Sequence, residues 1–98
     1  MTMENRQLKE SRDLDGRLVS DCEYLDEKRD GRERIWSNDG KLVLELHHRN
    51  GKPHGSYKCW WDNGKLKEEG EYRSGRLVGN YRWYLENGEL WQQYDFGH

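Results

Sequence analysis

The tetrapeptides DGRL, DGKL, NGKL and NGEL begin at Asp15, Asp39, Asn63 and Asn87, so one motif returns three times at a spacing of 24 residues. Two further columns keep the same period: Gly31, Gly55 and Gly79, and the aromatic series Trp36, Trp60 and Tyr84. A fixed period without insertion or deletion marks a repeat architecture, in which each unit buries its apolar side only by stacking on its neighbours. The chain therefore divides into a charged leader, 1–14, and a single repeat domain, 15–98, with units 15–38, 39–62 and 63–86 and a half unit 87–98. The leader is expected to be helical or disordered, because Leu8 and Leu14 are too sparse to set a period.

Each unit reads as two strands. Asp-Gly or Asn-Gly at its start signals a two-residue type I′ turn, since both central residues of that turn need positive φ. A second break, Asn50–Gly55 and Ser74–Gly79, reads as a longer loop. In the first unit Glu27 stands where the others have Gly51 and Gly75, so a loop of different shape is expected there. The alternation of short and long turns predicts an all-β fold, a single-layer antiparallel meander of about seven strands.

In the predicted register Tyr72 opposes Tyr81, Gly70 opposes Trp83 and Glu71 opposes Arg82, while across the next turn Leu85 opposes Leu90 and Tyr81 opposes Tyr94. Cross-strand aromatic and opposite-charge pairs of this kind contribute about 0.2–1 kcal/mol each. One face then carries charge ladders, with Arg34 between Glu23 and Glu45, Lys58 between His47 and Glu69, and Arg82 between Glu71 and Gln93. That charged face is interrupted by a stripe of Trp36, Val43, Trp60, Tyr84 and Trp91. The opposite face gathers Cys22, Tyr24, Ile35, Leu44, Leu46, Tyr57, Cys59, Trp61, Tyr72, Tyr81, Trp83, Tyr94 and Phe96.

Composition matters here because only 32% of the residues are hydrophobic and 37% are charged, a balance that borders on disorder. Five tryptophans and six tyrosines placed in register offset that scarcity. A net charge of -2 lacks the cationic surplus of a DNA or anionic-membrane binder, so neither partner is expected. The amino-terminal residues form neither a signal peptide nor a membrane span, which makes the cytoplasm the expected location.

Candidate chemistry is thin. Cys22 and Cys59 sit in no metal-ligand spacing and read as reduced core thiols. His47 and His48 are adjacent on a strand and face opposite sides, leaving at most one of them to join His54, short of the three or four ligands of a zinc site. No serine lies in a G-x-S-x-G elbow. No catalytic residue, cofactor or metal is expected. The stripe is the favoured partner-binding surface, because Trp and Tyr dominate binding hot spots, with Arg34, Lys58 and Arg82 beside it.

The segment NGKLKEEGEYRSGRLVGNYRWYLENGEL, 63–90, resembles the bacterial variant of the MORN repeat, in proteins often labelled antitoxin-like. The resemblance spans 15–96 and implies a twisted sheet of stacked hairpins that acts as an interaction surface and has no shared catalytic set. From it follows the expectation of a non-enzymatic protein-binding module, antitoxin-like or inhibitory, that covers a target such as a toxin. The alternative is a self-assembling module, a homodimer through a sheet face or the C-terminal edge strand; binding of RNA or a phosphoinositide is a lesser one.

Overall fold

A computed structural model describes residues 5–98. Eight strands, β1 (Arg6–Arg12), β2 (Leu18–Leu25), β3 (Lys28–Trp36), β4 (Leu42–Arg49), β5 (Lys52–Trp60), β6 (Leu66–Arg73), β7 (Arg76–Tyr84) and β8 (Leu90–Asp95), pair in sequence order. Every pairing is antiparallel, and the result is one open sheet with extents of 49 × 41 × 13 Å. The smallest extent is that of a single layer, since two packed sheets stand about 10 Å apart before their outer side chains are added.

The leader is a strand, neither helical nor disordered. β1 pairs with β2 from Arg6 opposite Leu25 to Arg12 opposite Leu18, which brings the count to eight strands, one more than expected. Shifted by 24 residues, β1 falls on the start of β3, β5 and β7, so the leader is a worn copy of the unit. Its landmarks are gone: Gln7 stands in the column of Gly31 and Gly55, and Arg12 in that of Trp36 and Trp60.

The two kinds of turn exchange roles. Asp39-Gly40 does not form a type I′ turn; only Gly40 has positive φ, and it ends a three-residue loop in which Ser37 N–H donates to Lys41 O at 2.8 Å and Gly40 N–H to Ser37 O at 3.0 Å. The loops at Gly16, Gly64 and Gly88 repeat these bonds. Each is the known three-residue hairpin, a tight turn followed by a left-handed glycine. The segments read as long loops are the two-residue turns. Asn50 and Gly51 have φ of 52° and 84°, and they sit between the paired residues Arg49 and Lys52.

Glu27 does not change the shape of the first of these turns. Asp26 and Glu27 take φ of 50° and 71° between the paired residues Leu25 and Lys28, the same turn as its glycine-containing counterparts. Three neighbouring hairpins force the geometry, and the side chain bears the strain.

With the turns exchanged, the long-loop register moves by two residues. Arg82 pairs with Glu69, where Glu71 was expected, and Trp83 with Glu68, where Gly70 was expected; Tyr72 faces Leu77 and not Tyr81. Leu90 faces Tyr84 and not Leu85, whereas Tyr81 does oppose Tyr94. A shift of two keeps every side chain on its face, so the two-faced reading survives the error. The cause is a bulge in each hairpin: the ladders jump around Gly31, Gly55 and Gly79, which lie inside strands. A second bulge series leaves Val19, Val43, Lys67 and Trp91 without a cross-strand partner, again at a period of 24.

Candidate functional site

One face carries the charge ladder, and the corrected register makes it continuous. Glu10, Asp21, Arg34, Glu45, Lys58, Glu69, Arg82 and Gln93 are successive cross-strand neighbours from the first strand to the last. Arg34 is flanked by Asp21 and not by Glu23, and Lys58 by Glu45 and not by His47. The Arg34 guanidinium grips Asp21 with two bonds, Nε to Oδ1 at 3.1 Å and a second nitrogen to Oδ2 at 2.6 Å, while the Asp21 side chain is 2% exposed. Such a bidentate pair fixes geometry and consumes the charges that a ligand would need.

The favoured partner-binding residues are dispersed by this arrangement. Trp36 lies under Arg34, whose guanidinium carbon is 4.9 Å from the ring centroid. Trp60 is half-buried opposite Leu66, and the Tyr84 hydroxyl donates to Glu69. That bond to a carboxylate is the leading cause that raises the Tyr84 hydroxyl above the usual tyrosine range. Lys58 is exposed between Glu45 and Glu69, and Arg82 donates from Nε to Gln93 Oε1 at 3.5 Å. Val43 and Trp91 are bulge residues and so belong to a different column from Trp36, Trp60 and Tyr84. Trp91, 63% exposed, lines a hollow of about 290 Å³ with Trp61, Lys67, Trp83 and Leu85.

The other face holds the aromatic cluster. Tyr57 meets Tyr72 edge-on at 6.2 Å between centroids, Tyr81 meets Phe96 edge-on at 6.3 Å, and Tyr57 and Tyr81 stack at 6.1 Å. Trp83 lies 4.6 Å from Tyr81, and Tyr94 lies 4.7 Å from Phe96. Such pairs add about 0.5–1.5 kcal/mol beyond the area they bury. Gly70 leaves the space that Tyr81 fills, since a Cβ there would stand 2.8 Å from Tyr81 Cε2. Towards β8 the cluster is uncovered, with Tyr94 58% and Phe96 44% exposed.

Polar groups interrupt this face where sequence reasoning placed only a partner for the thiols. Glu68 accepts from the Tyr81 hydroxyl at 2.7 Å and from the Cys59 thiol at 3.7 Å. Burial, with Glu68 close by, pushes Tyr81 above the usual tyrosine range, and burial raises the Cys59 thiol. In the first unit Glu33 lies across from Cys22, and its Oε1 accepts from His48 Nε2 at 2.8 Å. The signal was legible only by column: Glu33 aligns with Tyr57 and Tyr81, and His48 with Tyr72 and Phe96.

Comparison with curated proteins and with solved structures finds no significant match. A family model described as the MORN repeat variant matches three successive segments, 29–52, 53–74 and 77–97. These are the hairpins β3–β4, β5–β6 and β7–β8, so a matched unit centres on the three-residue loop. MORN repeats in general serve contacts with proteins or membrane lipids. With more than half of its length matched in consecutive hairpins of one sheet, the chain belongs to the MORN repeat variant family.

Proposed function

We propose that this chain is a non-enzymatic protein-binding module whose aromatic face seats a target protein, in an antitoxin-like or inhibitory manner that covers the target's working surface. The observation that carries this reading is the single layer: Tyr94 and Phe96 at the β8 edge and the hollow of Trp61, Trp83 and Trp91 have nothing encoded by residues 5–98 to cover them. A sheet normally buries its apolar face against a second layer. Exposed aromatics around a preformed hollow are the composition of binding anchors. The opposite face has spent its charges on itself.

Catalysis has weak support by comparison. The Ser56 hydroxyl lies 3.2 Å from His47 Nδ1, but no carboxylate among the described residues orients that imidazole, and both groups stand on an open surface. Burial raises both cysteine thiols, the reverse of activation.

The test begins with capture of a target and its identification, followed by affinity measurement with purified components. Tyr94→Lys and Phe96→Lys are expected to weaken binding at least tenfold, while Trp36→Ala and Trp60→Ala leave it within twofold. The opposite ranking would return the site to the charged face. Light scattering decides the competing reading: a dimer dissolved by Tyr94→Lys points to self-assembly. A target that works unhindered in the complex ends the inhibitory part of the proposal.

A further inference from the structure

The repeat supplies its own internal control. At the positions where the second unit places Leu46, Tyr57 and Tyr72, and the third Gly70, Tyr81 and Phe96, the first places Cys22, Glu33 and His48. The two aromatic pairs meet edge-on at 6.2 and 6.3 Å; their counterpart is a hydrogen bond of 2.8 Å between imidazole and carboxylate. An apolar solution to this site therefore exists twice in the same chain. The first unit departs from it at all three positions at once, and each replacement is a metal-ligating residue type.

The geometry agrees with that chemistry. One ligand atom from each of Cys22, Glu33 and His48 lies within 4.8 Å of the others, on three adjacent strands, β2, β3 and β4. The His48 side chain is 4% exposed, and with Nε2 donating to Glu33 its ring lone pair falls on Nδ1, which is buried and has no hydrogen-bond partner among the described residues. An orphaned buried acceptor costs about 1–3 kcal/mol, so it calls for an explanation. Cys22 is 6% exposed, and burial followed by the Glu33 charge raises its thiol; a bound cation reverses both effects by holding the thiolate. A hollow of about 170 Å³, lined in part by Lys9, Ser20, Cys22, Tyr24, Arg29 and Glu33, adjoins the trio and leaves room for a fourth ligand.

We infer that Cys22, Glu33 and His48 form a binding site for one divalent transition-metal ion of the zinc class. Sulfur, nitrogen and oxygen donors together suit zinc, which takes four ligands at about 2.0–2.3 Å and accepts water as the fourth. Closing the trio onto such an ion needs shifts of roughly 1 Å, within the reach of side-chain rotation. Linear spacing hides the site, because its ligands are separated by 11 and 15 residues and meet only through strand pairing.

The probe is cobalt(II), added to the reduced, chelator-stripped full chain, with zinc competition to obtain the affinity. The expected result is one cobalt per chain, with thiolate-to-cobalt absorption in the near ultraviolet that zinc abolishes. Cys22→Ser and His48→Tyr are expected to remove that band, and Glu33→Gln to weaken zinc at least tenfold, while Cys59→Ser leaves both unchanged. His48→Tyr installs the residue that the second unit carries at Tyr72, and circular dichroism confirms that each variant folds. Absence of the band in wild type overturns the site outright, whichever variants fold. A band that survives His48→Tyr, or that disappears with Cys59→Ser, overturns the assignment of these three ligands. Target binding is measured separately, so the metal site stands or falls independently of the aromatic face.

Discussion

Glu27 offers a clean measurement of how far the repeat overrides local preference. It holds φ at 71° in a turn whose equivalents use Gly51 at 84° and Gly75 at 87°. For a residue with a Cβ the left-handed conformation costs about 1–2 kcal/mol. Glycine returns about 0.4–1 kcal/mol of that through its more flexible unfolded state. The Glu27 side chain is exposed and makes no hydrogen bond among the described residues, so no contact is lost on its removal. Glu27→Gly is therefore expected to stabilise by about 0.5–1 kcal/mol, and a domain of this size gains roughly 2–6 °C in Tm for that change. The reciprocal change isolates the backbone: a Cβ at Gly51 meets nothing nearer than Lys28 Cβ at 4.0 Å, so Gly51→Ala is expected to cost about 1 kcal/mol without any clash. Urea unfolding followed by tryptophan fluorescence measures both. A lower midpoint for Glu27→Gly, or an unchanged one for Gly51→Ala, refutes the assignment of strain to these turns.

Three other outcomes follow from the packing. Gly70→Ala drives a Cβ into the Tyr81 ring and disturbs the bond from Tyr81 to Glu68, with an expected loss of about 1–3 kcal/mol in urea melts. Asp21→Ala strands Arg34 beside a half-buried ladder; because the Arg34 side chain is 27% exposed, a loss of about 2–3 kcal/mol is expected, below the full penalty for a buried pair. Tyr81, 8% exposed, resists ionisation in the folded sheet, whereas an unfolded tyrosine ionises near pH 10. Its contribution is complete below that pH and declines as pH rises above it, by up to about 1.4 kcal/mol per unit, so alkaline melts should lose stability from about pH 10 upward. Difference spectroscopy in which Tyr81 ionises with the exposed tyrosines, before any unfolding, would count against its buried placement.

The periodicity made the class of fold legible, and the failures are instructive because each is local. Asp39-Gly40 and Asn50-Gly51 look alike in one dimension, yet one lies in a three-residue loop and the other in a two-residue turn. The difference resides in bulges at Gly31, Gly55 and Gly79, which alter the pairing by two residues and leave the faces unchanged. The leader was hidden for a related reason. It has the strand spacing of the unit without its glycine and aromatic landmarks, and pairing with β2 supplies the order that its own residues do not.

The candidate site divides in the same manner. That one face would be aromatic and the other charged followed from alternation alone. Which aromatics stand free did not: Trp36 and Tyr84 are occupied by Arg34 and Glu69, while Tyr94, Phe96 and Trp91 are open at the β8 edge. Glu33 and His48 looked like ordinary departures in a terminal unit until three strands set them beside Cys22.

A fixed period of 24 was enough, by itself, to dictate strands, turns and a two-faced sheet, because side-chain alternation is a property of every extended chain. Register, the continuity of the ladder from Glu10 to Gln93 and the meeting of Cys22, Glu33 and His48 were decided only in three dimensions. Those features depend on which residue of one strand lies across from which residue of the next. A single bulge changes that answer for every pair beyond it, while the sequence within each strand stays the same.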